Sequence, residues 1–249
     1  MGNVIITRRG RTRNAVNATQ FLTAAAFKTA LAALPTGGVA NITAFLPGAS
    51  APPSGAATVD VASGGKAPIL CWADGTAVYW YSESSRVYLP EDASNLFVFS
   101  PSTVASGALR TVDLTGILTT KTTRMAGMFA WNANLTSVDL SGFNTLKVTD
   151  FTTMFIGCRS LTELDISTFR RKYTVTVNAS QMFEGCSALR TIYASDLFYL
   201  YPDNANVSMF YYCVSLVGGA GTAYSGSNRY GSYARVDIGA GSPGYFTRV

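Results

Sequence analysis

The sequence of 249 residues contains no histidine. Ser-His and Cys-His nucleophile pairs, histidine general bases and metal triads that need histidine are therefore excluded. The four cysteines show no C-x-x-C spacing, so the sequence predicts no metal site and no cofactor. Phosphate-binding motifs such as G-x-x-x-x-G-K-[ST] are also absent. We therefore do not expect an enzyme.

Charged residues are scarce. They make up 13% of the chain, whereas 48% of residues are hydrophobic, which is enough for a substantial core. Ser, Thr, Gly and Tyr supply most of the polarity. This balance is more common in extracellular and fibre-like proteins than in cytosolic enzymes.

Long apolar runs are missing too. No stretch approaches the ~18 apolar residues of a transmembrane helix, so no membrane span is expected. The apolar run in Met1–Thr7 is too short for a signal peptide, and the positive charges follow it instead of preceding it. A trimmed chain would explain this, as would assembly into a phage particle that is released by lysis.

A Met-Phe pair recurs along the second half of the chain. The intervals between pairs are 26, 28 and 27 residues, and an apolar triplet spaced L-x-x-L-x-L accompanies the repeat. This period and spacing are typical of leucine-rich repeats. Three pairs are followed by a cysteine at one offset, which predicts a column of buried free thiols. The pairs begin at Met128, Met154, Met182 and Met209, and the cysteines are Cys158, Cys186 and Cys213.

Apolar and polar residues alternate within each repeat. Val138 and Leu140 point to one side of a strand, whereas Ser137 and Asp139 point to the other. One repeat cannot bury its own apolar face, so repeats must stack into a parallel sheet. The predicted fold class is an α/β repeat, a leucine-rich-repeat solenoid of about five rungs with a β-hairpin N-cap and an irregular C-cap.

The segment Met154–Phe169, with the sequence MFIGCRSLTELDISTF, resembles the repeat of BspA-type leucine-rich-repeat surface proteins. Segments within Pro68–Leu96 and Tyr233–Thr247 are similar to those that flank the repeats in that family. The resemblance therefore runs from about Pro68 to Thr247. It implies surface display and binding, but no particular ligand, because a fold does not determine a function.

The sequence divides into segments of different character. Strong helix formers between Asn17 and Pro35 predict a helix. Asp74-Gly75 lies between alternating apolar runs and predicts a hairpin. The predicted segments are 1–16, a basic arm; 17–67, a helix plus linker for attachment; 68–95, the hairpin cap; 96–217, the leucine-rich repeats; and 218–249, the C-terminal cap.

A basic cluster lies near the N-terminus and holds much of the net charge of +5. Such a cluster could contact nucleic acid or an acidic surface. No aromatic residues are interleaved with it, which argues against single-stranded nucleic acid as the partner. The pattern favours an attachment arm that a protein partner orders. The cluster consists of Arg8, Arg9, Arg11 and Arg13.

An acidic ladder is predicted on the open face of the sheet, because aspartates recur at one outward strand position. Water, hydroxyl groups and arginines could simply solvate it, or it could bind a partner. A glycosidase-like carboxylate pair is disfavoured, because equivalent open carboxylates lack the distinct environments that separate an acid from a base. The candidate ligand-binding residues are Asp113, Asp139, Glu163, Asp165 and Tyr193.

A second candidate surface lies in the tyrosine-rich C-terminal third of the chain, since tyrosine suits both protein contacts and sugar stacking. Packing within the core and the C-terminal cap is the alternative interpretation of these tyrosines.

Together these features predict a non-enzymatic binding or structural protein displayed on a surface. The preferred version is a phage virion component, such as a fibre, receptor-binding or capsid-decorating protein, which is extracellular in the virion. Its N-terminal region would join other virion proteins, and its repeats would bind a cell-surface protein or glycan. A homo-oligomer is compatible with this hypothesis, and nucleic acid is not the expected partner. The alternative is a bacterial cell-surface adhesin or lipoprotein fragment that binds host protein or glycan.

Overall fold

Short β-strands dominate the structure, as the alternation of apolar and polar residues requires. The computed structural model describes residues 18–65, 67–99, 107–172, 175–200 and 206–249. These residues contain one α-helix, α1 (Ala24–Leu31), and two 3₁₀ helices, Val39–Asn41 and Gly231–Tyr233. The strands are β1 (Ala18–Phe21), β2 (Ala44–Pro47), β3 (Thr58–Asp60), β4 (Ala62–Gly65), β5 (Leu70–Asp74), β6 (Ala77–Tyr81), β7 (Arg86–Tyr88), β8 (Thr111–Asp113), β9 (Ile117–Leu118), β10 (Ser137–Asp139), β11 (Glu163–Asp165), β12 (Thr191–Ala194) and β13 (Phe246–Arg248).

The strands form three sheets, with orders β4-β1-β7-β9, β10-β8-β2-β6-β5-β3 and β11-β12-β13. The pairs β1–β4, β3–β5 and β5–β6 are antiparallel. The other pairs are parallel. Strand β10 contacts β11 where the six-stranded sheet gives way to the three-stranded one.

The prediction of an α/β leucine-rich-repeat solenoid is wrong. The described residues are mostly β, in three sheets of parallel or mixed pairing, and their single helix precedes the repeats. The L-x-x-L-x-L segments give strands of three or four residues, such as β10 and β12. The Met-Phe segments are turns.

Left-handed residues explain why these segments are turns. The residue before the Met-Phe pair has a φ of 54° at Thr153, 58° at Gln181 and 53° at Ser208. A right-handed helix cannot continue through such a residue. Thr, Gln and Ser are not typical of this conformation, so no local signal at these three positions indicates it.

The predicted hairpin is present, but it does not cap the repeats. Strands β5 and β6 pair antiparallel, with Asp74 opposite Ala77 and Gly75 at a φ of 58° in the turn. However, β6 also pairs with β2 and β5 also pairs with β3, so the hairpin lies inside the six-stranded sheet. Strands β2 and β3, from the segment 17–67 that the sequence predicts to be a helix plus linker, therefore belong to the same sheet.

Helix α1 covers the first Met-Phe-like turn, at Leu96-Phe97. The helix is shorter than expected, because residues 18–21 form β1. It buries Phe27 and Leu31. The Lys28 ammonium donates to the carbonyls of Asn95 and Val98, each at 3.4 Å. The carbonyls of Asn95 and Val98, at the first of the stacked turns, thus have a hydrogen-bond donor.

A column of phenylalanine side chains runs through the core. Neighbouring rings are stacked with their centroids 5.2–5.9 Å apart and their planes within 17°. Phe27 meets one end edge-on at 5.9 Å, and Tyr245 meets the other edge-on at 5.0 Å. Such aromatic pairs each contribute about 0.5–1.5 kcal/mol beyond their area burial. The phenylalanine column consists of Phe97, Phe129, Phe155, Phe183 and Phe210.

A second column lies beside the first and links successive repeats through buried side chains. The thiols of Cys158, Cys186 and Cys213 donate to phenylalanine carbonyls of the preceding repeat at 3.2, 3.1 and 3.0 Å. Asn132, at the same repeat position, donates to the Phe97 carbonyl at 2.9 Å. All four cysteines of the chain are free and buried. Burial raises the pKa of Cys186 to about 12, so this thiol remains a protonated donor at neutral pH.

Tyr245 makes the stability of this core sensitive to alkaline pH. Burial raises the pKa of Tyr245 to about 12 from its ordinary value of 10.0. Because the folded pKa is the higher one, its stabilising contribution is complete below pH 10 and is lost as the pH rises towards 12. The Tyr245 hydroxyl also accepts a hydrogen bond from the Ser225 N–H at 3.1 Å.

We therefore expect Tyr245→Phe to lower the free energy of unfolding by about 0.5–1.5 kcal/mol at neutral pH, where the hydrogen bond is lost. This deficit should shrink between pH 10 and 12, because only the wild type then has a phenol to ionise. Urea unfolding of both proteins across this pH range measures the difference. A deficit that stays constant with pH would contradict the assignment.

Candidate functional site

The structure places the five predicted ligand-binding residues on short, neighbouring strands. Asp113 of β8 lies directly opposite Asp139 of β10 in a parallel pair. Asp165 of β11 lies opposite Tyr193 of β12. Contact between β10 and β11 joins these two pairs. We call Asp113, Asp139 and Asp165 the acidic row.

Each carboxylate of the acidic row ends its strand by forming a local turn. The Oδ1 atom accepts the backbone N–H two residues on, at 2.8 Å for Asp113, 2.8 Å for Asp139 and 2.7 Å for Asp165. A short side chain that satisfies its own backbone in this way favours the turn. This is a structural reason for aspartate at the position, and it leaves the second oxygen for other partners.

The second oxygens differ in their contacts. Asp139 Oδ2 accepts the Thr115 hydroxyl at 3.0 Å. Within the described part of the chain, the Oδ2 atoms of Asp113 and Asp165 accept no hydrogen bond. The row therefore presents acceptors that are open to a partner.

Hydrogen bonds lower the pKa of Asp139. The largest contribution comes from the Ser141 side chain, followed by the Ser141 backbone N–H, and Thr115 adds a further bond. These bonds outweigh the partial desolvation of the carboxyl group. Asp139 is consequently ionised at neutral pH and is poorly suited to act as a general acid.

The other two predicted residues flank the acidic row. Glu163 is two residues before Asp165 on β11, so both point to the same face, and Glu163 pairs with Thr191. Tyr193 is half-buried and lies between Asp165 and Thr247. The acidic row thus ends against a tyrosine at the three-stranded sheet.

A second set of repeat positions provides a comparison, because there the charges alternate. Arg124 bridges to Asp92 and Asp150 in parallel register, with nitrogen–oxygen distances of 3.9 and 3.3 Å. The remaining ion pair of the described residues joins Arg248 to Asp196 at 3.1 Å. None of these pairs includes a carboxylate of the acidic row, which is therefore not neutralised by a described arginine or lysine.

The predicted attachment residues Arg8, Arg9, Arg11 and Arg13 lie outside the described residues. Their role stays a prediction.

The tyrosine-rich C-terminal third divides between core and surface. Tyr233 and Tyr245 pack together with ring centroids 5.2 Å apart. Tyr212 is exposed, and its ring centroid lies 4.1 Å from that of Tyr211, over which the Arg229 guanidinium sits at 5.0 Å. Much of this region therefore serves packing, with a small aromatic and cationic surface beside it.

Sequence reasoning missed a pocket on the same sheet face as the acidic row. Strand β2 pairs with both β8 and β6, so the face continues from Asp113 to Tyr79, and Tyr79 pairs with Trp72. The loop after β2, residues 48–56, forms one wall of an open cavity of about 380 Å³ that these two residues also line. Alternating aromatic residues on the hairpin were a usable signal, but nothing local showed which loop would cover them.

The chemistry of this face suits binding. In the described ranges, no group of three or more Cys, Asp or Glu side chains is arranged to hold a metal ion. Each of the three aspartates accepts the backbone N–H two residues on and none is buried, whereas a carboxyl group that acts as a general acid needs apolar, buried surroundings. The described residues also include no helix with the length and apolar character that a bilayer span requires.

One protein-family model matches residues 105–197, and its description is "Mycoplasma protein of unknown function, DUF285". The matched region contains the whole acidic row but is less than half of the chain. Neither the curated proteins nor the solved structures contain a match to this chain. The pocket at Trp72 and Tyr79 lies outside the family match.

The turn role of Asp139 can be separated from its charge. We expect Asp139→Ala to lower the free energy of unfolding by about 1 kcal/mol, because the Ser141 N–H loses its acceptor. Asp139→Asn keeps an acceptor oxygen but loses the charge, so its stability should lie between those of Asp139→Ala and the wild type. Chemical denaturation of the three proteins at pH 7 measures both effects.

The same variants predict an acid dependence. Because the folded pKa of Asp139 is lowered, its contribution is present above the unfolded value of 3.8 and is lost as the pH falls through the folded value. The difference between wild type and Asp139→Ala should therefore shrink below about pH 4. A difference that persists unchanged in acid would show that Asp139 stabilises the turn without its charge.

Proposed function

We propose that the protein is a non-enzymatic binding protein displayed on a surface, and that its acidic row is the contact surface for a partner. The observation that carries this proposal is the contrast between the two charge columns. Arg124 lies between Asp92 and Asp150, whereas no described cation pairs with Asp113, Asp139 or Asp165. Stacked carboxylates are thus neutralised by an arginine at one set of repeat positions, and they have no described cationic partner at the other.

This contrast matters because opposed like charges lower the stability of a sheet. Like charges at directly opposed strand positions destabilise a sheet by roughly 0.2–1 kcal/mol per pair. The column at Arg124 removes this repulsion by alternating charge. The acidic row has one such pair, Asp113 opposite Asp139, which no described cation bridges. A partner that supplies cations or hydroxyl donors would relieve its repulsion on binding.

The absence of histidine from the sequence and the lack of a buried carboxylate in the acidic row support a binding role over catalysis. The buried core behind the acidic row supports a binding role as well. The acidic row lies on the outer side of strands whose inner side chains, such as Val112 and Leu164, are buried. Such a scaffold holds exposed groups in fixed positions.

For location, we propose a phage virion component, such as a fibre, receptor-binding or capsid-decorating protein, attached through its N-terminal region. The low charged fraction and the N-terminal arginine cluster support this version. Its partners would be other virion proteins at the N-terminus and a cell-surface protein or glycan at the acidic row.

The alternative is a bacterial cell-surface adhesin or lipoprotein fragment. One specific observation favours it, since the description of the matching family model names Mycoplasma, a cellular organism. Both versions use the acidic row as the contact surface. They differ in whether the protein is attached to a phage particle or to a bacterial cell.

The double variant Asp139→Asn, Asp165→Asn should weaken attachment to target cells by about tenfold, because two charges are removed from the contact surface. The midpoint of thermal unfolding should change little, since asparagine preserves the turn acceptors. Retention of fluorescently labelled protein on cells, measured over a concentration series, gives the affinity.

The matched control is Asp92→Asn. Asp92 is exposed and its Oδ1 accepts the Ser94 N–H at 2.9 Å, so it forms the same local turn away from the acidic row. Its substitution should leave attachment unchanged. Equal attachment by wild type and double variant would rule out the acidic row as the contact surface.

Antibody raised against the repeats, followed by immunogold microscopy of a lysed producing culture, tests the location. We expect gold on phage particles, at the head or the tail. Gold on cell envelopes alone would reject the virion version and leave the adhesin.

A further inference from the structure

We propose that the cavity between the loop 48–56 and the Trp72–Tyr79 pair is a binding site for one pyranose unit of an uncharged glycan. The cavity has a volume of about 380 Å³, within the ~300–1,000 Å³ typical of small-ligand pockets. It is independent of the proposed function, because it needs no carboxylate of the acidic row.

The aromatic floor is the first argument. Trp72 and Tyr79 are opposite each other on antiparallel strands, with ring centroids 5.7 Å apart and planes 21° from parallel. Both residues line the cavity; Trp72 is only 8% exposed because its indole packs on Gly48, so Tyr79 supplies the accessible ring face. Aromatic side chains with polar tips provide rigid contact area at low entropic cost, which suits the flat C–H face of a sugar ring.

The start of the wall opposite the rings is tied to the sheet, which preorganises this part of the cavity. The Gly48 N–H donates to the Trp80 carbonyl at 2.8 Å, which ties the start of the loop to β6. A Cβ atom at Gly48 would lie 2.2 Å from Cη2 of Trp72. Only glycine lets the indole approach the loop this closely, and a preformed site lowers the entropic cost of binding.

Unused hydrogen-bonding groups are the second argument. Three groups belonging to residues that line the cavity have no hydrogen-bond partner within the described part of the chain. They are the Asp74 carboxylate, the Tyr79 hydroxyl and the Trp72 indole N–H. Together they offer a charged acceptor, a group that can donate or accept, and a donor. A polyhydroxylated ring can use all three.

The charge of the residues that line the cavity limits the class of ligand. The cavity is lined by one carboxylate and by no lysine or arginine. An acidic sugar would meet Asp74 without a compensating cation, so the site should reject it. A quaternary ammonium ligand needs several aromatic faces around one point, whereas these two rings are nearly parallel.

Calorimetric titration of the full chain with methyl glycosides of glucose, galactose, mannose and N-acetylglucosamine tests the proposal. We expect at least one to bind with a Kd in the micromolar to millimolar range. Asp74→Asn and Tyr79→Phe should each weaken that binding, by about tenfold for the charged group and less for the phenol.

The matched control is Tyr81→Phe, which changes the next outward-facing tyrosine of β6, outside this cavity. It should leave the Kd unchanged, as should the double variant Asp139→Asn, Asp165→Asn. The proposal for the acidic row and the proposal for the pocket can therefore be rejected independently of each other.

Failure of all four glycosides to bind folded protein would overturn the proposal. An affinity that is insensitive to both Asp74→Asn and Tyr79→Phe would overturn it too. Tetramethylammonium binding in place of every glycoside would reassign the cavity to a cationic ligand.

Discussion

Backbone hydrogen bonds between the Met-Phe turns hold the second half of the molecule in register. The N–H of Phe129 donates to the carbonyl of Met154 at 2.9 Å, and the N–H of Phe155 donates to that of Met182 at 2.9 Å. The same bond links the Phe97 turn to Met128 and the Phe183 turn to Met209, each at 3.0 Å. Because every repeat is bonded to the next at the same atom, any residue type that recurs in sequence must recur in space. Stacked phenylalanines and hydrogen-bonded thiols follow from this constraint.

The constraint applies equally to charged residues, for which stacking is unfavourable. An aspartate that ends a short strand by accepting its own N–H two residues on is useful in every repeat, so it recurs. Its recurrence places carboxylates side by side, as at Asp113 and Asp139. At the other set of positions, arginine replaces one aspartate and removes the repulsion. The same local advantage therefore produces a neutralised column and a charged one, and the charged one is the candidate contact surface.

The sequence predicted what depends on period and alternation. It located the repeats, the outward position of Asp113, Asp139 and Asp165, and the hairpin at Asp74-Gly75. It failed where distant residues decide the outcome. The residues before the Met-Phe pairs have positive φ angles because backbone hydrogen bonds to the next repeat hold them in that conformation. Thr153 and Gln181 do not otherwise favour it. Strand β2 joins the sheet because Phe45 finds a place between Val78 and Val112, a pairing that no local signal indicates.

The insertion of β2 also explains why two candidate surfaces share one face. It joins the hairpin to the repeats, so the outward positions continue from Trp72 through Tyr79 and Leu46 towards Asp113. The inward neighbours along this path, Phe45, Val78 and Val112, are fully buried. The candidate binding groups and the core groups thus occupy opposite sides of the same strands, so substitutions that keep the size and acceptor atoms of an exposed outward side chain leave the core packing intact. A loss of binding in such variants, with unchanged unfolding, can therefore be assigned to the surface itself.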